Sequence, residues 1–314
     1  MHWNRRKLFQ LAGAAALAGA SRAKAQRTPA KSFDFVQVDV FTTNPLEGNP
    51  LCVFPQAQNL SDDQMMAITR ELNHSETTFI QPSAGKGDAV VRIFTLRGEV
   101  PFAGHPTLGT AFVMAQTRPG KTSLLLEEKV GPIPVTLAKR DNGLYLEMKQ
   151  NDPTFGPKYD DSEALAKALG LTVDELDRRY TAQVVSTGSP FLIVPLKSAR
   201  TLERLTPESR LSPSDRQRLG AGPYYLVTGE DDIEARLLNG ASEDPATGSA
   251  AGCAASFMVQ YGNRKPDTQF TIHQGRFVKR PSMIYASASL QDGRVSNVRV
   301  GGYVVEVMRG KLEL

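Results

Sequence analysis

The sequence predicts an α/β (α+β) protein of two similar halves, each arranged around a helix of small residues, behind a short N-terminal leader. Strand-like apolar runs recur along the chain and outnumber the helical ones. Two Gly-opened, Ala-rich stretches stand at corresponding points, Pro101-Phe102-Ala103-Gly104-His105-Pro106-Thr107 and Glu243-Asp244-Pro245-Ala246-Thr247-Gly248-Ser249. The first 25 residues differ from the rest in composition.

Met1 to Ala25 has a basic start (Arg5-Arg6-Lys7), an apolar stretch from Leu8 to Ala20, and a small-x-small site, Ala23-Lys24-Ala25. These are the parts of a signal peptide. The apolar stretch is shorter than the ~20 residues of a bilayer span and is softened by Ala and Gly, which disfavours a retained transmembrane helix. Paired arginines, a soft apolar run and Ala-x-Ala together point to twin-arginine export, with Sec export as the alternative. The expected location is the periplasm.

The chain carries 37 Lys+Arg against 33 Asp+Glu. Five basic residues and no acidic one fall in the leader, so the remainder has 32 basic and 33 acidic side chains and a net charge of −1. No nucleic-acid partner is expected, because such partners call for a net basic face. No membrane partner is expected after leader removal. The cluster Arg276, Lys279, Arg280 reads as a solvated loop, with a phosphate contact as the alternative. Cys52 and Cys253 have no metal-ligand spacing and read as unpaired core residues, although an exported protein permits a disulfide. His74, His105 and His273 form no H-E-x-x-H, so no metal site is expected. No G-x-G-x-x-G opens a helix after a strand, so no nucleotide cofactor is expected either.

The elements follow in order. Phe33 to Val40 alternates as a half-buried strand, and Thr43 to Pro50 reads as turn chemistry. Ser61-Asp62-Asp63-Gln64 is a capping box that opens a helix with Met65, Ile68 and Leu72 on one face. Strands are expected at Thr77 to Gln81 and Ala89 to Leu96, and a helix at Pro106 to Gln116. Three further strands, Ser123 to Lys129, Pro132 to Lys139 and Leu144 to Met148, close the first half. Asn151-Asp152-Pro153 and Gly156-Pro157 mark the boundary. Beyond it, Ser162 to Leu169 and Thr172 to Arg179 read as short helices, the second with a Thr172-x-x-Glu175 capping box. Strands at Ala182 to Val185, Phe191 to Pro195, Tyr224 to Thr228 and Ile233 to Leu238 precede a helix at Gly248 to Gln260 and four more strands.

In each half a strand (Val91 to Leu96 or Ile233 to Leu238) runs through an acid-bearing loop into a Gly turn that opens a small-residue helix. Gly104 aligns with Gly248 and His105 with Ser249, which suggests a pseudo-twofold pair. Close packing of small residues is one use of such helices. The other follows from their open first N–H groups: a helix start is an anion site, and two of them sharing a cleft would grip a carboxylate and a developing enolate or dienolate.

In order and type, Asp39-Val40-Phe41-Thr42 with Gly48-Asn49-Pro50, then Ser75-Glu76-Thr77-Thr78-Phe79, the two helix-start motifs, and Gln274-Gly275 with Arg280-Pro281-Ser282 resemble the PhzF-like phenazine-biosynthesis family from about Phe33 to the C-terminus. The resemblance implies the diaminopimelate-epimerase-like fold. Two pseudo-symmetric domains would each wrap a curved, mostly antiparallel sheet around a central helix, with the site between them. On this chain they would span 33–150 and 151–314, with the last strand or strands packing on the first. The resemblance also implies an isomerase that moves a proton on a small carboxylic acid, and a homodimer. The branch of that fold acting on diaminopimelate and proline carries a cysteine at each helix start; Gly104-His105 and Gly248-Ser249 disfavour a two-thiol racemase here.

By the same resemblance Glu76 is the acid/base and Asp244 the second carboxylate, with helix capping or orientation of the Pro245 turn as the alternative role for Asp244. Gly104, His105, Gly248 and Ser249 would bind the substrate, although His105 also suits a cap. His74, two residues before Glu76, is a candidate for tuning it. His273 and Lys279 depart from the family's pattern, where an acid and a Gly are common, and bear on the substrate. The expected reaction is a cofactor-independent proton shift on an unsaturated or chiral acid. The alternatives are an exported binding protein for such an acid, which the two carboxylates disfavour, and a racemase or lyase on the same scaffold.

Overall fold

The structure, a computed structural model, describes residues 31–228, 233–239 and 242–314. The signal peptide and twin-arginine readings fall on residues 1–25, outside the described residues. Lys31 and Leu314 exchange two backbone hydrogen bonds of 2.9 Å. Phe33–Leu312 groups into one body.

The chain begins with β1 (Ser32–Val40), β2 (Asn49–Phe54), α1 (Asp62–Leu72), β3 (Glu76–Gln81), β4 (Ala89–Thr95), β5 (Gly98–Val100) and α2 (Gly104–Gln116). Then come β6 (Ser123–Glu128), β7 (Gly131–Arg140), β8 (Gly143–Lys149) and β9 (Thr154–Lys158). Helix α1 starts where the capping box places it, with Ser61 Oγ accepting from Gln64 N and the Gln64 side chain accepting from Ser61 N. It lies over a small apolar cluster in which the Phe54 and Phe79 rings stack 5.1 Å apart and Phe94 meets Phe79 edge-on at 5.5 Å. Such geometries add about 0.5–1.5 kcal/mol each beyond area burial.

After β9 the chain forms α3 (Ser162–Leu169), β10 (Gln183–Ser186), β11 (Pro190–Leu196), α4 (Ala199–Arg204), α5 (Pro213–Leu219), β12 (Gly222–Val227), β13 (Ile233–Asn239) and β14 (Ser242–Asp244). Helix α6 (Gly248–Gln260), β15 (Phe270–Gln274), β16 (Ser282–Gln291) and β17 (Arg294–Glu313) complete it. Most strand pairs are antiparallel. The pairs β2–β3, β4–β6, β11–β12 and β13–β15 are parallel. Strand β17 pairs with both β16 and β8, so the end of the chain lies beside a strand from before residue 150.

Several expectations needed correction. The turn expected through Pro50 ends earlier: Asn49 and Pro50 already pair with Val40 and Asp39 in the β1–β2 ladder. Gly156-Pro157, expected as a boundary turn, lies inside β9, which pairs with β10. Thr172 to Arg179 is a single 3-10 turn, Val173–Glu175, because the capping box forms but the next residue is already extended. Three strands rather than four follow α6, the last being 20 residues long. The strands β2, β5, β9 and β14 and the helices α4 and α5 lie outside the expected elements.

Helices α2 and α6 pack against strands on several sides: α2 touches β2, β3, β4, β6 and β8, and α6 touches β10, β11 and β16. Every residue of α6 from Gly248 to Val259 is buried. A helix buried all round has no exposed face to create periodicity, which fits the unbroken run of Gly, Ser, Ala and Cys from Gly248 to Ser256. Cys52 and Cys253 are both buried and unpaired. No helix among the described residues is long and apolar enough to cross a membrane.

Candidate active site

The starts of α2 and α6 meet. A Cβ built on Gly104 would lie 2.6 Å from both Gly248 C and Ser249 N, and one on Gly248 would lie 2.8 Å from Phe41 Cζ. A side chain at Gly104 would meet fixed backbone, and one at Gly248 the tip of the Phe41 ring. The N-cap residues, Ala103 and Thr247, make no side-chain cap bond. The first intrahelical donors are Thr107 N and Ala251 N, so the N–H groups of Gly104, His105, Gly248, Ser249 and Ala250 have no intrahelical acceptor, while Pro106 has no N–H at all. All four residues expected to bind substrate are thus brought together.

Glu76 opens β3, held between β2 and β4 by its neighbours Thr77 and Thr78. Its Oε2 is buried without a partner and lies 3.5 Å from His105 Nε2, itself buried and unpartnered. That separation is longer than a good hydrogen bond. Burial pushes His105 down to about 3, so the ring is neutral and the contact is no ion pair. The Asn49 side-chain nitrogen settles the tautomer. It faces Asp244 Oδ1 at 2.7 Å and Ala246 O at 2.8 Å, both acceptors, and stands 3.1 Å from His105 Nδ1. A hydrogen on Nδ1 would collide with those of the amide, so the proton is on Nε2, directed at Glu76.

Burial first, and then the Asp244 charge, push the Glu76 carboxyl up to about 7, against one hydrogen bond from Ser75. Burial pushes Asp244 up to about 6, opposed by hydrogen bonds from Thr247, Asn49 and the Ala246 N–H. Two buried carboxyls that sense each other titrate as a pair, and burial raises both. Asp244 has three hydrogen-bond donors against one for Glu76, so its charged form is the better supported of the two. Asp244 does not cap α6; it accepts from the cap residue, Thr247 Oγ1, at 2.6 Å. His105 does not cap its helix either, since it sits inside the first turn of α2.

His74 is not among the groups that shift Glu76. It acts instead on His105 and on Asp39, with Arg280 as its other charged neighbour. Of the cluster expected as a solvated loop or phosphate contact, Arg276 and Lys279 are exposed, and Arg280 is built into the fold. Arg280 binds Asp39 Oδ1 at 2.6 Å and the carbonyls of Glu47 and Gly48, which steadies the turn before Asn49, while Arg276 pairs with Glu203 and Glu234.

Asn49, Thr247 and Gln274 are site residues to which the sequence reading gave no role. Each lies in a motif singled out for its pattern, and a polar residue directly after a turn glycine, as at Asn49, was the available signal. A cavity of about 500 Å³ adjoins the site; Phe41 and Gln274 line it, but Glu76, His105 and Asp244 do not.

Residues 38–310 match the phenazine biosynthesis-like protein family, PhzC-PhzF. The chain is 36% identical over 290 residues to the trans-2,3-dihydro-3-hydroxyanthranilate isomerase of Pseudomonas chlororaphis, covering 89% of this chain and 99% of that one. A solved structure from Pseudomonas aeruginosa, described as a predicted epimerase, superposes with a TM-score of 0.79 at 36% identity over 89% of this chain and 99% of that one. A hydroxyproline epimerase of Agrobacterium vitis shares the fold at a TM-score of 0.61 and 14% identity, covering 90% and 93% of the two chains. The fold is therefore the diaminopimelate-epimerase-like one expected from the motifs, and the chain belongs to the PhzC-PhzF family of phenazine biosynthesis-like proteins.

Proposed function

We propose that this member of an isomerase family is a cofactor-independent isomerase that moves a proton on a small unsaturated or chiral carboxylic acid, with Glu76 as the acid/base. The carrying observation is the buried, unpartnered Glu76 Oε2, pushed up to about 7 and facing the neutral His105 Nε2–H beside two abutting helix starts. A carboxyl with a pKa near neutrality takes and returns a proton with comparable ease.

The open N–H groups of α2 and α6 bind the substrate carboxylate. Glu76 as carboxylate takes a proton from a carbon alpha or vinylogous to it, and the C–H electron pair spreads into the carboxylate. The helix dipoles and the His105 N–H stabilise that charge. Glu76 then returns the proton to another carbon of the delocalised system, which restores its own carboxylate. Asp244, held charged by Asn49 and Thr247, favours the neutral form of Glu76 after each abstraction.

A binding protein with no turnover gains nothing from an unpartnered buried carboxyl facing an anionic ligand. The test is incubation in deuterated water with trans-2,3-dihydro-3-hydroxyanthranilate and with a panel of unsaturated and α-chiral acids, followed by mass analysis. Isomerisation or deuterium gain supports the reading. Tight binding of an acid with neither would overturn it in favour of a binding protein.

A further inference from the structure

Gln274, at the end of β15, is 2% exposed, and all four hydrogen-bonding positions of its amide are filled. Nε2 donates to Asp244 O at 2.8 Å and to Thr247 Oγ1 at 3.0 Å. Oε1 accepts from Thr247 N at 3.1 Å and from the Tyr224 hydroxyl at 3.1 Å. The reverse orientation would set its oxygen against the Asp244 carbonyl and its nitrogen against an N–H, so chemistry fixes the amide as stated. Gly275, in the left-handed region at φ 87°, lets the chain behind it pass the Pro245 carbonyl, where a Cβ would come within 2.5 Å.

The consequence falls on Thr247. A threonine at an N-cap ordinarily accepts a hydrogen bond from the first turn of its helix. Thr247 makes no such bond. Its oxygen accepts from Gln274 instead, and its single proton goes to Asp244 Oδ2 at 2.6 Å, the length of a charge-assisted O–H···O⁻ bond. Gln274 thus fills one acceptor position of the Thr247 hydroxyl while its proton goes to the second carboxylate, and the first N–H groups of α6 have no side-chain cap.

We propose that Gln274 is a positioning residue for proton transfer: through Thr247 it holds a hydroxyl donor on Asp244, keeping that carboxylate the charged member of the pair and the start of α6 open to ligand. This rests on Glu76 and Asp244 being the working pair.

The test compares Gln274→Met, which keeps the length and removes all four bonds, with Thr247→Val, which removes the hydroxyl, and Thr247→Ser, which keeps it. Carbon-13 NMR of enzyme labelled at the Asp carboxyl carbons, with the Asp244 signal assigned by Asp244→Asn, follows its protonation without any substrate. The midpoint is expected to rise by roughly one pH unit in Gln274→Met and Thr247→Val and to return to the wild-type value in Thr247→Ser. On an acid that the wild type turns over, the first two variants should lose about tenfold or more in kcat, with the loss greatest at low pH, and their combination should be no worse than the weaker single variant. Wild-type titration of Asp244 in folded Gln274→Met overturns the proposal. If that variant does not fold, wild-type titration in Thr247→Val overturns it equally. Absence of turnover on every acid tried counts against the isomerase reading alone, because the titration decides the positioning role separately.

Discussion

Gly104 and Gly248 hold two helix starts in backbone contact: a Cβ on Gly104 would lie 2.6 Å from Gly248 C. Backbone cannot swing aside as a flexible side chain can. Gly104→Ala should therefore lower stability by about 1–3 kcal/mol, as overpacking does, and should cut turnover more than tenfold by parting the anion site. Thermal unfolding and steady-state kinetics measure the two effects. A variant of unchanged melting temperature and full activity would show that the contact is not needed.

Glu76→Gln keeps the shape of the side chain and removes its titratable proton. Turnover and solvent deuterium exchange should fall by roughly two to four orders of magnitude, the range of general acid/base catalysis. Ligand affinity should hold or improve, because an anionic ligand no longer faces a second negative charge. Retained exchange activity in this variant would remove Glu76 from the mechanism.

The raised Glu76 carboxyl also carries a pH signature. Its folded value of about 7 exceeds the ordinary 4.5, so its contribution to stability is full below about 4.5 and is lost as pH rises through 7. Between pH 5 and 8 the wild type should lose on the order of 1–3 kcal/mol that Glu76→Gln does not lose. Chemical unfolding of both proteins across that range measures the difference. Over the same range kcat/KM should rise with pH through about 7, since abstraction needs the carboxylate. A flat profile would assign the rate to another group.

Asn49→Leu keeps the volume and deletes the donor shared by Asp244, the Ala246 carbonyl and the His105 ring. Asp244 should then hold its proton to higher pH, and kcat should fall at least about tenfold, in line with the cost of leaving buried polar groups unpaired. Ser249→Ala, which removes one hydroxyl at the start of α6, should weaken substrate binding only by the equivalent of about 0.5–1.5 kcal/mol. Inhibition constants and kcat separate the two variants.

Replacing Arg5-Arg6 by Lys-Lys tests the proposal that residues 1–25 are a twin-arginine leader. Transport through the twin-arginine route should stop, and folded, active protein should collect in the cytoplasm. Cell fractionation with an activity assay reads the outcome, and unchanged export would indicate the Sec route.

Local chemistry made much of the fold legible. The capping box at Ser61 forms as written, strand-like runs located β1, β3, β4 and β6 to β8, and Gly104 and Gly248 open the helices they were expected to open. Where it failed, pairing overrode local preference. Asn49-Pro50 and Gly156-Pro157 look like turns, yet each is drawn into an antiparallel ladder by a partner strand, a force that no local pattern displays. The short α4 and α5 carry too few turns for their periodicity to stand out.

By itself the sequence determined which residue types were available at the site: a glutamate beside a strand, an aspartate before a helix, and two helix starts that open on glycine. Only the tertiary structure decided what those groups became. Asn49 reaches Asp244 across 195 residues and Gln274 reaches Thr247 across 27, and these contacts support the Asp244 charge while burial raises the Glu76 carboxyl. Desolvation and hydrogen-bond partnership are properties of a packed neighbourhood, so they come into being only when distant segments close around the same few atoms.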